Sequence, residues 1–143
     1  MYKYADYLNQ YKECPSTTCS ETERDIFRWV HKLPTDADFV PVPLMPDQIL
    51  IDASDKKRKC ADYSLSVWET LEVAKNKFLE QYTRRPPHKQ VEYIADKGDS
   101  IALISLKREH GVLSENKGGH FSLFEYNDVE LHKDIKEIFS IFD

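Results

Sequence analysis

The run Ile101-Ala102-Leu103-Ile104-Ser105-Leu106 constrains this chain most, because it is almost wholly apolar and has no solvent-facing side to offer. A strand of that kind belongs in the centre of a sheet, covered on both faces. It is far too short to span a bilayer, and no run of about 18 uncharged apolar residues occurs elsewhere, so no transmembrane helix is expected. The opening Met1-Tyr2-Lys3-Tyr4-Ala5-Asp6 has neither the basic leader nor the apolar stretch of a secretory signal, and the expected setting is cytoplasmic.

Other segments supply what such a strand must pack against. Tyr4, Ala5, Leu8 and Tyr11 fall at helical spacing and predict a first helix over 2–12. Ser20 and Glu23 have capping-box spacing ahead of Ile26, Trp29, Val30 and Leu33, which predicts a second helix over 21–33, with a β-branched and aromatic strand over 25–31 as the rival. Pro34, Pro41, Pro43 and Pro46 make residues 34–60 a long extended connection, with a short edge strand expected near Gln48–Ile51. Alternation of Tyr63, Leu65 and Val67 with Asp62, Ser64 and Ser66 predicts a strand over 61–68. Thr70 then caps a helix striped by Leu71, Ala74, Phe78 and Tyr82, which stops at Arg84-Arg85-Pro86-Pro87.

Residues 89–95 read as a further strand. Phe121, Leu123 and Phe124 resume one after Gly118-Gly119, antiparallel to the 101–106 run. Asp128 caps a last helix bearing Leu131, Ile135, Ile138, Phe139 and Phe142. The sum is an α+β fold over 1–143, a single compact domain whose mostly antiparallel sheet packs on two to four amphipathic helices. Its 143 residues, 41% hydrophobic and 12% aromatic, suffice for one core.

A net charge of −5 opposes a general nucleic-acid binder, whose affinity comes from clustered cations. Two local basic runs qualify that: Lys56, Lys57, Arg58 and Lys59, and then Arg84 and Arg85 within 84–89. Both sit in expected loops, where they are solvated or meet an anionic contact. The three cysteines, Cys14, Cys19 and Cys60, are expected as thiols, a Cys14–Cys19 bridge being the sterically possible exception. Cys19 reads as a bystander thiol or, just ahead of the expected second helix, as a reactive one. Neither they nor the five histidines show the paired short spacing of a metal site. Glycine-rich phosphate loops and nucleophile elbows are missing too.

One residue breaks the pattern of its element. Glu125 shares a strand side with Phe121 and Leu123, so it either reaches solvent at the strand end or is a carboxylate tuned by burial. With Arg28 on an early element and Tyr63-Ser64-Leu65-Ser66 on a strand preceding a helix, the order of residues resembles the Arg, Ser/Tyr and Glu constellation of the ADP-ribosyltransferase family. That resemblance implies NAD bound by the first two elements and ribosyl transfer stabilised by the acid, and it needs Arg28 on a strand. The first functional expectation is nevertheless a non-catalytic module that binds another protein, since no complete reaction signature is present. The ribosyltransferase-like enzyme, with NAD and Arg28, Tyr63, Ser64, Ser66 and Glu125 in its cleft, is the alternative, and anion contact through the two basic runs is the third.

Overall fold

In a computed structural model describing residues 1–45 and 57–142, Ser100–Leu106 (β3) is an interior strand, one in from the sheet edge and paired on both sides. One edge pairs with Arg24–Val30 (β1) over seven aligned residues, and the other pairs with Ile135–Ser140 (β6). Leu65–Trp68 (β2), Gly111–Glu115 (β4) and His120–Glu125 (β5) complete a sheet of order β4-β5-β2-β1-β3-β6, antiparallel at every junction. The expected α+β class and antiparallel sheet are what the chain forms.

Both faces of the sheet are covered. Ile26, Val30, Leu65, Val67, Ala102, Ile104, Phe121 and Leu123 form one core, closed by Phe39 and Leu131 from connecting segments. On the opposite face Ile101, Phe27, Trp29 and Trp68 meet Ala74 and Phe78 of the helix Leu71–Thr83 and Tyr93 of the helix Pro87–Lys97. The first of these is the expected helix, and Thr70 caps it by accepting from the Val73 N–H at 3.1 Å. Its Ala74 carbonyl accepts from Trp29 Nε1 at 2.8 Å, which fixes the helix against β1.

Several local expectations yield to tertiary demands. Residues 24–30 are strand, not helix: Ser20 exchanges backbone bonds with Leu113 instead of capping, and β3 presents a free edge for which β1 is the partner. Residues 89–95 are helical because Pro86 and Pro87 open a helix, the missing proline N–H being unneeded in the first turn. That helix ends at Gly98, whose φ of +90° and 2.1 Å approach of a would-be Cβ to the Val30 carbonyl admit only glycine.

The last expected helix is replaced by a turn, Leu131–Lys133, and by β6. Asp128 has a φ of 67°, unlike the extended backbone of a helix-capping residue, and β3 would otherwise keep an unpaired edge. The antiparallel partner of β5 is not β3 but β4, through a hairpin turned at Lys117–Gly119, and on its other side β2. The first helix shrinks to Ala5–Leu8, with Leu8 buried, and the strand expected over 61–68 begins only at Leu65 after a turn at Cys60–Tyr63. The strand expected near Gln48–Ile51 lies outside the described residues.

The cysteines also differ from expectation. Cys14 and Cys60 are joined in a disulfide across 46 residues of sequence, and Cys19 alone stays free. All three pack on the cluster of Leu8, Tyr63, Val112 and Phe124, so a local Cys14–Cys19 pair is displaced by a partner that only the folded chain brings near. Cys19 leads into strand, not helix, which removes the helix terminus invoked to activate it. No helix among the described residues is long and apolar enough to cross a membrane.

Candidate functional site

β3 and β6 shift register once, between Leu103 and Ile104, but the shortest pairing in the sheet is between β1 and β2. These strands share one aligned pair, Phe27 with Trp68, and then part. Arg28, the next residue on β1, fills the fork: its Nε donates to the Asp38 carbonyl at 2.9 Å and its Nη1 to the Ser66 carbonyl at 2.7 Å. One of the guanidinium's five N–H groups thus serves a β2 carbonyl that the diverging β1 backbone does not reach, another ties in the Asp36–Phe39 turn, and three remain. The Phe39 ring lies 5.5 Å away. Burial lowers the Arg28 pKa to about 10, against the opposing pull of Glu125 and Asp38, so the group stays cationic at neutral pH.

The fork opens into a cleft of about 450 Å³ whose walls include Arg28, Ser64 and Ser66, with His31, Asp38 and Arg58 beside them. A volume of this order lies within the range of roughly 300–1,000 Å³ typical of small-molecule sites. Pro41, Val42 and Met45 give it an apolar side. His31 has both ring nitrogens against acceptors, Asp38 Oδ1 at 2.5 Å and the Ala95 carbonyl at 2.8 Å. Burial depresses its pKa, but the bonds to Asp38 and Ala95 outweigh that and raise it, favouring the imidazolium. Asp38 is held in turn by the Thr35 and His31 N–H groups.

Glu125 is 3% exposed on β5, the far neighbour of β2. The expectation that it simply reaches solvent is therefore overturned. Its Oε2 accepts from Lys3 Nζ at 3.0 Å, while Oε1 is buried with no hydrogen-bond partner. Burial raises its pKa, opposed by the charges of Lys3, Arg28 and His110. Tyr4, driven to about 12 by burial and by Glu125, is a second group in the field of both Glu125 and Arg28. Glu125 does not border the cleft: Lys3, whose Nζ also donates to the Val129 carbonyl, covers it.

No family model matches the chain, and no curated protein or solved structure does so either.

The fold therefore brings together Arg28, Ser64 and Ser66 and couples Glu125 to Arg28 by charge. Tyr63 goes elsewhere: it is buried, with its ring stacked 5.2 Å from that of Tyr7. Ser64 Oγ donates to the Ala61 carbonyl at 2.6 Å, so its hydroxyl is committed to the turn before β2. Of the basic runs, Lys56 lies outside the described residues, Lys57 and Lys59 are exposed, and Arg58 borders the cleft. The second run is largely satisfied: Arg84 pairs with Glu80 at 3.0 Å, and Arg85 donates to the Gln81 carbonyl and lies 4.2 Å over the Tyr93 ring.

Sequence reasoning missed Lys3, Tyr4, His31 and Asp38. The Thr35-x-x-Asp38 spacing was a visible signal for a capping box, and Thr35 does accept from Ala37 N while Asp38 bonds back. Nothing in the sequence pointed from Lys3 to a carboxylate 122 positions later. Among the described residues, no three His, Cys, Asp or Glu side chains are grouped to hold a metal ion.

Proposed function

We propose that the chain binds NAD in the cleft at the β1–β2 fork and acts on its nicotinamide–ribose bond, in the manner of the ADP-ribosyltransferases it resembles. The observation that carries this reading is the fork itself: the sheet parts after a single pair and holds a half-buried, partly unspent arginine in the opening, with Glu125 coupled to it from the second strand over. Arg28 supplies positive charge for a diphosphate, His31 being already paired with Asp38, and the apolar wall of Pro41, Val42 and Met45 accommodates a ring. Cleavage of the glycosidic bond releases neutral nicotinamide with the bonding pair and leaves positive charge on the ribose, which a carboxylate such as Glu125 stabilises until water adds at C1 and gives up its proton to solvent. The Lys3 contact must yield for that carboxylate to reach substrate, so binding is the primary expectation and turnover follows from it. The cytoplasmic setting expected from the sequence would suit such a substrate, but the Cys14–Cys60 disulfide argues for an oxidising one.

Calorimetric titration with NAD, paired with nicotinamide release, tests the proposal. Binding should weaken at least about tenfold in Arg28→Gln through loss of a charged hydrogen-bond donor. Release should fall about 100-fold or more in Glu125→Gln, because an amide cannot replace the anion. Absence of binding at about 1 mM NAD, equivalent to less than about 4 kcal/mol, refutes the proposal. It would leave the non-catalytic protein-binding module as the reading to pursue.

A further inference from the structure

A second polar site lies on the other side of the sheet order, and it begins with a pattern in the sequence. Thr18, Ser20, Thr22 and Arg24 occupy alternate positions, and the chain around Ser20 runs extended beside β4. Ser20 N donates to the Leu113 carbonyl at 3.1 Å, and Leu113 N returns the bond at 2.9 Å. Period-two geometry sends Ser20, Thr22 and Arg24 to one side, and Thr18 joins them from the preceding turn. They line a trough of about 400 Å³ together with Leu113, Ser114 and Glu115 of β4.

The trough has donors to spare. The Arg24 guanidinium is stacked 4.4 Å over the Phe121 ring and reaches Glu69 only at 3.5 Å, while its Nε is buried without a partner. That Nε has no exposed surface, so what Arg24 offers a ligand in the trough is the charge and the terminal N–H groups of its guanidinium. Thr18 shares its hydroxyl with Ser16, but among the described residues the hydroxyls of Ser20, Thr22 and Ser114 make no hydrogen bond. Glu115 is the one carboxylate on the lining, and it is exposed at the rim.

From this we infer a binding site for a phosphate group, with Arg24 providing charge and the row of hydroxyls providing short neutral donors. A tetrahedral oxyanion offers several acceptors at once, which suits donors spread along an extended run better than a planar carboxylate does. The site is separate from the cleft and does not depend on NAD binding there.

The test is titration of the full chain with inorganic phosphate and with O-phosphoserine at constant ionic strength, read by calorimetry and by amide shifts of Ser20, Thr22 and Ser114. The expected result is saturable binding that shifts those amides, weakens at least about tenfold in Arg24→Gln and tightens about threefold in Glu115→Gln, which removes like-charge repulsion. Arg28→Gln should leave it unchanged. Tighter binding of O-phosphoserine identifies a phosphorylated side chain as the source, and equal binding identifies the free ion. If Arg24→Gln does not fold, the Ser20→Ala/Thr22→Ala double variant must weaken binding about threefold or more. Equal affinity in the variants and wild type, equal binding of acetate, or loss of binding in Arg28→Gln instead overturns the inference.

Discussion

β1 has two neighbours, and it treats them differently. Toward β3 it forms a ladder of seven aligned residues, with Ile26, Val30, Ala102 and Ile104 sealed beneath; toward β2 it makes one pair and then opens. The ladder side is apolar and regular, so its stability comes from burial and backbone pairing. At the fork, the backbone groups set free by divergence must be satisfied in another way, and Arg28 does this for the Ser66 carbonyl of β2 while also donating to the Asp38 carbonyl of the turn beyond. A side chain that substitutes for ladder bonds leaves space around itself. The cleft is thus a consequence of incomplete pairing, and its chemistry is that of the group that bridges it.

This contrast can be broken from either side. Ile104→Ala, on the ladder, should cost the most, about 2–5 kcal/mol from lost burial and a residual cavity, with the fork's ligand binding unchanged. Urea unfolding monitored by tryptophan fluorescence checks the first part and calorimetric titration the second; a loss under about 1 kcal/mol would mean the interior strand is not where stability resides.

Arg28→Gln should cost less, about 1–3 kcal/mol, because the charged hydrogen bonds are lost but little apolar surface is exposed. Hydrogen exchange should then speed up at the β2 amides of Leu65–Val67 before those of β3. Uniform acceleration across both strands would show that the fork is not a local feature.

The smallest effect concerns pH. Glu125 has a raised pKa, so the folded state binds its proton more tightly than the unfolded state does, and stability falls as pH rises from the ordinary carboxylate value of 4.5 through the raised one. Melting temperature should decline over that window in wild type and stay flatter in Glu125→Gln. A wild-type profile that rises there would mean that Lys3 and Arg28 outweigh burial.

How far the sequence showed this architecture depends on the kind of signal each segment carried. The 101–106 run was legible as an interior strand covered on both faces, though it lies one in from the edge and not at the sheet centre, and Leu71–Thr83 was legible because Thr70 and the apolar stripe agree. Segment 24–30, where the rival strand reading is the one that holds, and segment 135–140, expected only as helix, were ambiguous for the same reason. Both have apolar residues at spacings that fit a helix and a strand alike, and what selects the strand is an open edge of β3 on either side. Propensity is weak beside an unpaired edge.

The candidate residues divide along the same line. Alternation alone put Glu125 on the inward side of its strand, and hydroxyls at every second position up to Arg24 are written into the chain. What only the tertiary structure decided is which distant groups answer them: Lys3 over Glu125, Asp38 and Ser66 on Arg28, Phe121 under Arg24, and Cys60 bonded to Cys14. Local spacing fixes the side of an element a residue occupies, because that follows from backbone geometry within a few positions. Its partner is fixed by strand order and by where the connections cross, and those are settled by burying both faces of β3 at once.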